Sequence, residues 1–203
     1  MRIRKVKNAT SLLNQNETFI NNPKEYKNHW QEVFNNNNKI HLEIGCGKGK
    51  FLTEKARNNP NINFIGIEKS DSVLVRATEK ELSPNIRFIL MDAIELTDIF
   101  GHEIDTLYLN FSDPWPKKKH HKRRLTSNTF LKLYESIFAN GIHIIQKTDN
   151  TSLWEYSIEE YSKNHFIIEK AVYDYQSEDN IETEYETKFR SMGLPIHYLE
   201  VRK

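Results

Sequence analysis

Ile40-His41-Leu42-Glu43-Ile44-Gly45-Cys46-Gly47-Lys48-Gly49 runs directly into a stretch carrying Phe51, Leu52 and Ala56 at helical spacing. An apolar run of strand length therefore ends in three of the chain's seven glycines. Strand, glycine-rich turn and helix form the nucleotide-binding opening of an α/β fold, because glycines let the backbone approach a ligand at a helix N-terminus.

The turn departs from a dinucleotide site. A dinucleotide enzyme wants its third glycine where this chain has Lys50; here that glycine is Gly49. Glu43 also lies inside the strand, where an acid suits a pyrophosphate poorly. It suits S-adenosylmethionine, which carries a sulfonium and an ammonium and no phosphate, and this favours a methyltransferase over a dehydrogenase. Cys46 reads as a small loop filler, since nothing nearby would lower its pKa.

Downstream, strands and helices alternate. Ile62 to Ile67 is a strand ending at Glu68, 23 residues after Gly45, close to the usual offset of a ribose-binding carboxylate. Asp71 to Leu82 reads as a helix and Ile86 to Leu90 as a third strand. Asp92, after that strand, is either an adenine-contacting acid or a helix N-cap. Ile104 to Leu109 is a fourth strand. Thr126 to Ala139 reads as an amphipathic helix through Phe130, Leu133, Tyr134, Ile137 and Phe138, closed by Gly141. Ile142 to Gln146 is a fifth strand, delivering Asp149 either to a ligand or to the cap of a helix from Thr151 to Ser162. The last strands, Phe166 to Ile168 and Ile196 to Val201, have no long helix between them, which implies antiparallel pairing beside a parallel sheet. Between them, Thr183-Glu184-Tyr185-Glu186 has the spacing of a capping box.

The fourth strand delivers Asn110-Phe111-Ser112-Asp113-Pro114-Trp115-Pro116-Lys117, followed by a tract ending Lys122-Arg123-Arg124. An acid in an apolar setting beside concentrated positive charge suits a site that modifies a base while phosphates are held nearby. Taken alone, the basic run is also what a solvated anion-binding loop looks like. Trp115 either stacks on a base or braces its loop. Six of the 29 Lys and Arg fall in residues 117–124, leaving 23 against 28 Asp and Glu, so a polyanion would meet one face.

The 203 residues, 37% hydrophobic, suffice for one globular domain with a substantial core. Residues 1–38 read as a basic arm (Arg2, Arg4, Lys5, Lys7) and a short helix from Pro23 to Phe34, with Tyr26, Trp30, Val33 and Phe34 on one side; residues 39–203 read as the domain proper. One cysteine excludes an internal disulfide. Neither a membrane span nor a signal peptide is legible, so the expected location is the cytoplasm.

Taken in order, Glu43 to Gly49, Ser112 to Lys117 with its basic continuation, Lys147-Thr148-Asp149-Asn150 and Thr183 to Glu186 closely resemble the bacterial tRNA (guanine-N7)-methyltransferase family, over nearly the whole chain. The glycine turn is common to many S-adenosylmethionine enzymes; the Asp-Pro-Trp-Pro-Lys element is specific. The resemblance implies a seven-stranded class I methyltransferase fold, Rossmann-like and mostly parallel, with an antiparallel last strand and helices on both faces. It implies methylation of a guanosine in the tRNA variable loop. Glu43, Gly45, Gly47, Glu68, Asp92 and Asp113 would hold the cofactor, with Asp113 also the catalytic acid. Lys117, Asp149 and Thr183 through Glu186, with Thr183 and Glu186 at its ends, would face tRNA, and Lys122, Arg123 and Arg124 would clamp phosphates. No metal is expected, and the protein would act as a monomer or a homodimer. Competing expectations are methylation of an exocyclic base amine, a module that binds cofactor or RNA without turnover, and a small-molecule methyltransferase. The family's usual aromatic before Lys147 is replaced by Gln146.

Overall fold

The computed structural model describes residues 5–203; Arg2 and Arg4 of the basic arm lie outside them. Helices α1 (Ala9–Asn14) and α2 (Trp30–Phe34) precede β1 (Ile40–Ile44), α3 (Lys50–Asn58), β2 (Asn63–Glu68), α4 (Asp71–Thr78), β3 (Ile86–Leu90), α5 (Leu96–Ile99) and β4 (Ile104–Asn110). Then follow α6 (Asn128–Tyr134), β5 (His143–Thr148), α7 (Thr151–Lys163), β6 (Ile167–Val172), α8 (Glu184–Ser191) and β7 (His197–Arg202).

All seven strands form one sheet, in the order β3-β2-β1-β4-β5-β7-β6. β3, β2, β1, β4 and β5 pair in parallel; β7 runs antiparallel to both β5 and β6. The order reverses beside β1, and in open α/β sheets ligands bind outside the carboxyl ends of strands at such a point. Strand alternation divides the interior. Ile40, Leu42 and Ile44 of β1 join a core with Trp30, Phe130, Tyr134 and Tyr161, while Phe64 and Phe88 join a second one with Phe51, Leu52 and Leu74. Gly66 makes this second core possible: a Cβ there would come within 2.9 Å of Cys46 Sγ, Leu52 and Phe88.

Several elements differ from their sequence expectations. The single helix expected over Pro23–Phe34 is broken into a 3-10 turn, Pro23–Tyr26, and α2. The break sits at Asn28, φ 67°, where Glu103 accepts hydrogen bonds from the Asn28 and Trp30 amides at 2.9 and 3.1 Å. Helix α1 was not expected; it buries Ala9 and Leu13 against the second core. Residues 18–20 bond the edge of β3 through Phe88, so this N-terminal segment lies against the sheet. Helix α4 stops at Thr78, four residues before Leu82, and Asn16 donates to the Thr78 carbonyl at 2.9 Å. The helix expected over Thr126–Ala139 ends at Tyr134, because the Ile137 carbonyl accepts from the Glu103 and Ile104 amides and Ala139 donates to Ile104. No helix among the described residues is long and apolar enough to cross a membrane.

Candidate active site

Four strand ends and one helix build the site. β1 leads into Gly45 and Gly47, both at positive φ (75° and 58°), where a Cβ would meet no protein atom within 4 Å. The space in front of them is a cavity of about 750 Å³. From β2, Glu68 accepts the Gly47 amide at 3.2 Å through one oxygen and the Lys69 and Ser70 amides through the other. From β3, Asp92 caps a 3-10 turn by accepting from the Ile94 amide at 3.1 Å, and also lines the cavity. Its two sequence readings are thus compatible. β4 ends at Asn110, and Asp113 follows on the cavity wall, 3.6 Å from Lys69 Nζ, with both side chains largely exposed.

Glu43 is the most unusual group here. It is 2% exposed; one oxygen accepts from Asn110 Nδ2 at 2.9 Å, and the other, Oε2, has no partner. Burial pushes its carboxyl up to about 7, against the pull of Asn110 and Lys147. A small cavity of about 60 Å³ reaches Glu43 from the glycine turn and shares Gly45, Gly47, Phe111 and Tyr185 with the large one. Cys46 beside it is buried, and that burial raises its thiol well above the ordinary value, which fits an inert filler.

The basic tract folds back on its own tryptophan. Trp115 takes φ 40°, Arg123 lies 5.0 Å over its ring and His120 meets it edge-on. Lys122 and Arg123 line the cavity and Lys117 is exposed. Arg124 is placed otherwise. It is 2% exposed, donates to the Pro114 carbonyl at 2.7 Å and stacks 4.3 Å from the Tyr156 ring. Its guanidinium braces the Pro-Trp-Pro loop from beneath.

Helix α8 covers the glycine turn, with Glu184 2.9 Å from Lys48. Thr183 caps it, accepting from the Glu186 amide at 2.9 Å. Only half of the expected capping box forms, because the Glu186 side chain is fully buried and turned to Lys147 at 2.6 Å, with Asn180 and Arg190 completing its shell. Burial alone would raise the Glu186 carboxyl; Lys147 holds it below the ordinary value. Asp149 is half-buried near the end of β5, and the cap of α7 is its neighbour Asn150. Gln146 is buried and satisfied, donating to Ser157 at 3.1 Å and accepting from the Tyr161 hydroxyl at 3.4 Å. In the grouping with metal-like spacing, His143, Glu169 and Glu200, His143 pairs with Glu200 at 2.8 Å and Glu169 with Arg202, outside the group, at 2.8 Å.

Sequence reasoning gave no role to Asn110, Lys69 or Lys147, and placed Tyr185 only within the Thr183–Glu186 stretch that the resemblance turns toward tRNA. For Lys147 a signal existed: a lysine inside an apolar strand is buried only when paired, and the acid that pairs it stands in the Thr183–Glu186 motif.

A family model described as a putative methyltransferase matches residues 37–199. A tRNA (guanine-N(7)-)-methyltransferase of Lachnoclostridium phytofermentans is 46% identical over 207 aligned residues, 98% of this chain and 97% of the relative. One of Listeria welshimeri is 49% identical over 191 residues, 91% and 89% of the two chains, and one of Streptococcus mutans is 46% identical over 210, covering 100% of both. Among solved structures, the 16S rRNA methyltransferase KamB has a TM-score of 0.68 at 15% identity, over 86% of this chain and 92% of that one. A SAM-dependent methyltransferase from Archaeoglobus fulgidus has a TM-score of 0.57 at 14% identity, over 89% and 92%. The structural likeness is one of fold, that of the class I methyltransferases. With matches of this closeness along essentially its whole length, the chain belongs to the tRNA (guanine-N(7)-)-methyltransferase family.

Proposed function

We propose that the protein methylates N7 of a guanosine in the tRNA variable loop, using S-adenosylmethionine. The observation that carries this reading is the unpartnered, buried Glu43 oxygen in the small cavity at the glycine turn, which shares Gly45, Gly47, Phe111 and Tyr185 with the large cavity lined by Asp113, Lys122 and Arg123.

The residues fit the cofactor. Glu43 lacks a cationic partner and would hold the cofactor's ammonium. Gly45 and Gly47 leave open the room that side chains would take. Glu68 and Asp92 stand at successive strand ends, where ribose hydroxyls and an adenine amine are recognised. When bound, S-adenosylmethionine would supply an electrophilic methyl group whose transfer to N7 would leave the bonding pair on sulfur and the positive charge on the purine.

Guanine N7 carries a lone pair and no proton, so the chain provides no general base. Its tasks are alignment, exclusion of water and charge stabilisation. The Asp113 carboxylate, at the cavity wall, acts on the charge that moves to the purine. Lys117, Lys122 and Arg123 hold phosphates, while Arg124 fixes the loop that carries them. Asp149 and Thr183 contribute to the tRNA face, and Glu186 acts there by fixing α8.

Incubation with unmodified tRNA and S-adenosylmethionine, followed by nucleoside analysis, should give 7-methylguanosine. A methylated exocyclic amine, or no labelled nucleoside, overturns the reading. The phosphate contacts have their own test. Replacing Lys122 and Arg123 with Gln should weaken tRNA binding about tenfold and lower the slope of log Kd against log salt by about 1–2. An unchanged slope removes both residues from the phosphate contacts.

A further inference from the structure

Tyr185 is a large aromatic side chain left exposed beside the site. It is 52% exposed, sits in the first turn of α8, and lines both the small cavity at Glu43 and the large one that Asp113 borders. Its ring is nearly parallel to that of Phe111, 25° apart with centroids at 6.4 Å, and Phe189 backs both rings at 6.1 and 5.9 Å. Phe111 itself stands at φ 51°, a backbone conformation rare for a bulky side chain. Such conformations persist where the surroundings enforce them, often at functional sites. The residue after Tyr185 is Glu186, bonded to Lys147 in β5, so the ring is carried on a helix pinned to the sheet. Of the other aromatics on the cavity wall, Phe130 is buried in the core, Phe111 is the ring beside Tyr185, and Trp115 already has Arg123 over its ring and His120 at its edge.

From this arrangement we infer that the Tyr185 ring is the surface on which the target purine stacks, and that its π face stabilises the positive charge the purine acquires. The inference rests on the reaction proposed above and names the residue that orients its substrate. A base taken out of a folded RNA loses its stacking partners and regains them on an aromatic side chain. The face of that side chain attracts cations. Methylation at N7 turns a neutral purine into a cation, so the attraction grows between ground state and transition state and appears in the rate. The Phe111 and Phe189 rings keep Tyr185 from swinging out of the cavity.

The test uses the full chain, unmodified tRNA and S-adenosylmethionine. Tyr185→Leu keeps apolar bulk and removes the ring. It should slow single-turnover methylation by about 10–100-fold, with affinity for S-adenosylmethionine within about threefold and tRNA affinity governed by its phosphate contacts. Tyr185→Phe should stay within about threefold of wild type in rate. Site-specific incorporation of mono-, di- and trifluorinated phenylalanine at 185 withdraws charge from the ring face without changing its shape, and the rate should fall at each step. A Tyr185→Leu rate equal to wild type overturns the inference. So does a defect confined to S-adenosylmethionine affinity, which would assign the ring to the cofactor, and so does a flat fluorination series. If wild-type protein forms no 7-methylguanosine, the underlying reaction fails before any variant is compared, and the stacking surface falls with it.

Discussion

Asp113→Asn should lower kcat by about 10²–10³-fold, the usual cost of removing one group placed against transition-state charge. Asp113→Ala should lose as much. Affinity for tRNA should stay within about threefold in both, because the side chain is 65% exposed and the phosphate contacts lie elsewhere on the loop. Asparagine keeps the shape and the hydrogen-bonding reach of the carboxylate but not its charge, so the pair separates electrostatics from geometry. Lys69, 3.6 Å away, does not cancel that charge: the pair is solvent-exposed and weakly coupled. Near wild-type turnover by Asp113→Asn at saturating S-adenosylmethionine would rule out the electrostatic role. A loss seen only as weaker tRNA binding would reassign the residue to substrate capture.

Glu43→Gln should have two opposite effects. Affinity for S-adenosylmethionine should fall by about 10²–10³-fold, since a buried charge partner is removed from a cationic ligand. The ligand-free protein should become more stable at pH 8, by about 1–3 kcal/mol. The sign follows from titration. The carboxyl ordinarily titrates at 4.5, and in the folded chain at about 7. Between these values the folded state keeps a proton that the unfolded state has released, so stability falls as pH rises through this window and the loss is complete above it. The variant should therefore match wild type near pH 4 and exceed it at pH 8, as thermal melting would show. The same titration sets cofactor capture: kcat/KM for S-adenosylmethionine should rise about tenfold per pH unit up to about 7 and then level off, because only the ionised carboxylate pairs with the ammonium. Equal melting temperatures at pH 8, or a capture rate flat from pH 5.5 to 8, would remove Glu43 from this role.

Much of the fold was legible because local signals and long-range order agreed. The glycine turn, the acids at the ends of β2 and β3, and the lack of a long helix between β6 and β7 each mark a point where the sheet's topology constrains the residue type. The failures share a cause. Ile137 and Phe138 continue the helical spacing of Phe130 and Tyr134, yet they reach the same core from a turn, so hydrophobic period alone could not mark the end of α6. The break before α2 depends on Glu103, over 70 residues away, and no local pattern encodes it. Within the charged tract, Arg124 is indistinguishable in sequence from Arg123, although one lies beneath the loop and the other lines the cavity. Glu186 read locally as a cap partner; a lysine in a distant strand claims its side chain.

The last strand is also an inner strand. β7 enters between β5 and β6 and is laddered on both sides, and α8 just before it is bolted to β5 through Lys147. The link from β6 to α8 crosses residues 176–179, all exposed. Covalent continuity at that crossing should therefore be dispensable once the molecule has folded. A protease nick there should leave two pieces that travel as one through a sizing column, and mixing separately made halves should restore methyl transfer. Halves that drift apart would mean the two ladders are weaker than their register suggests.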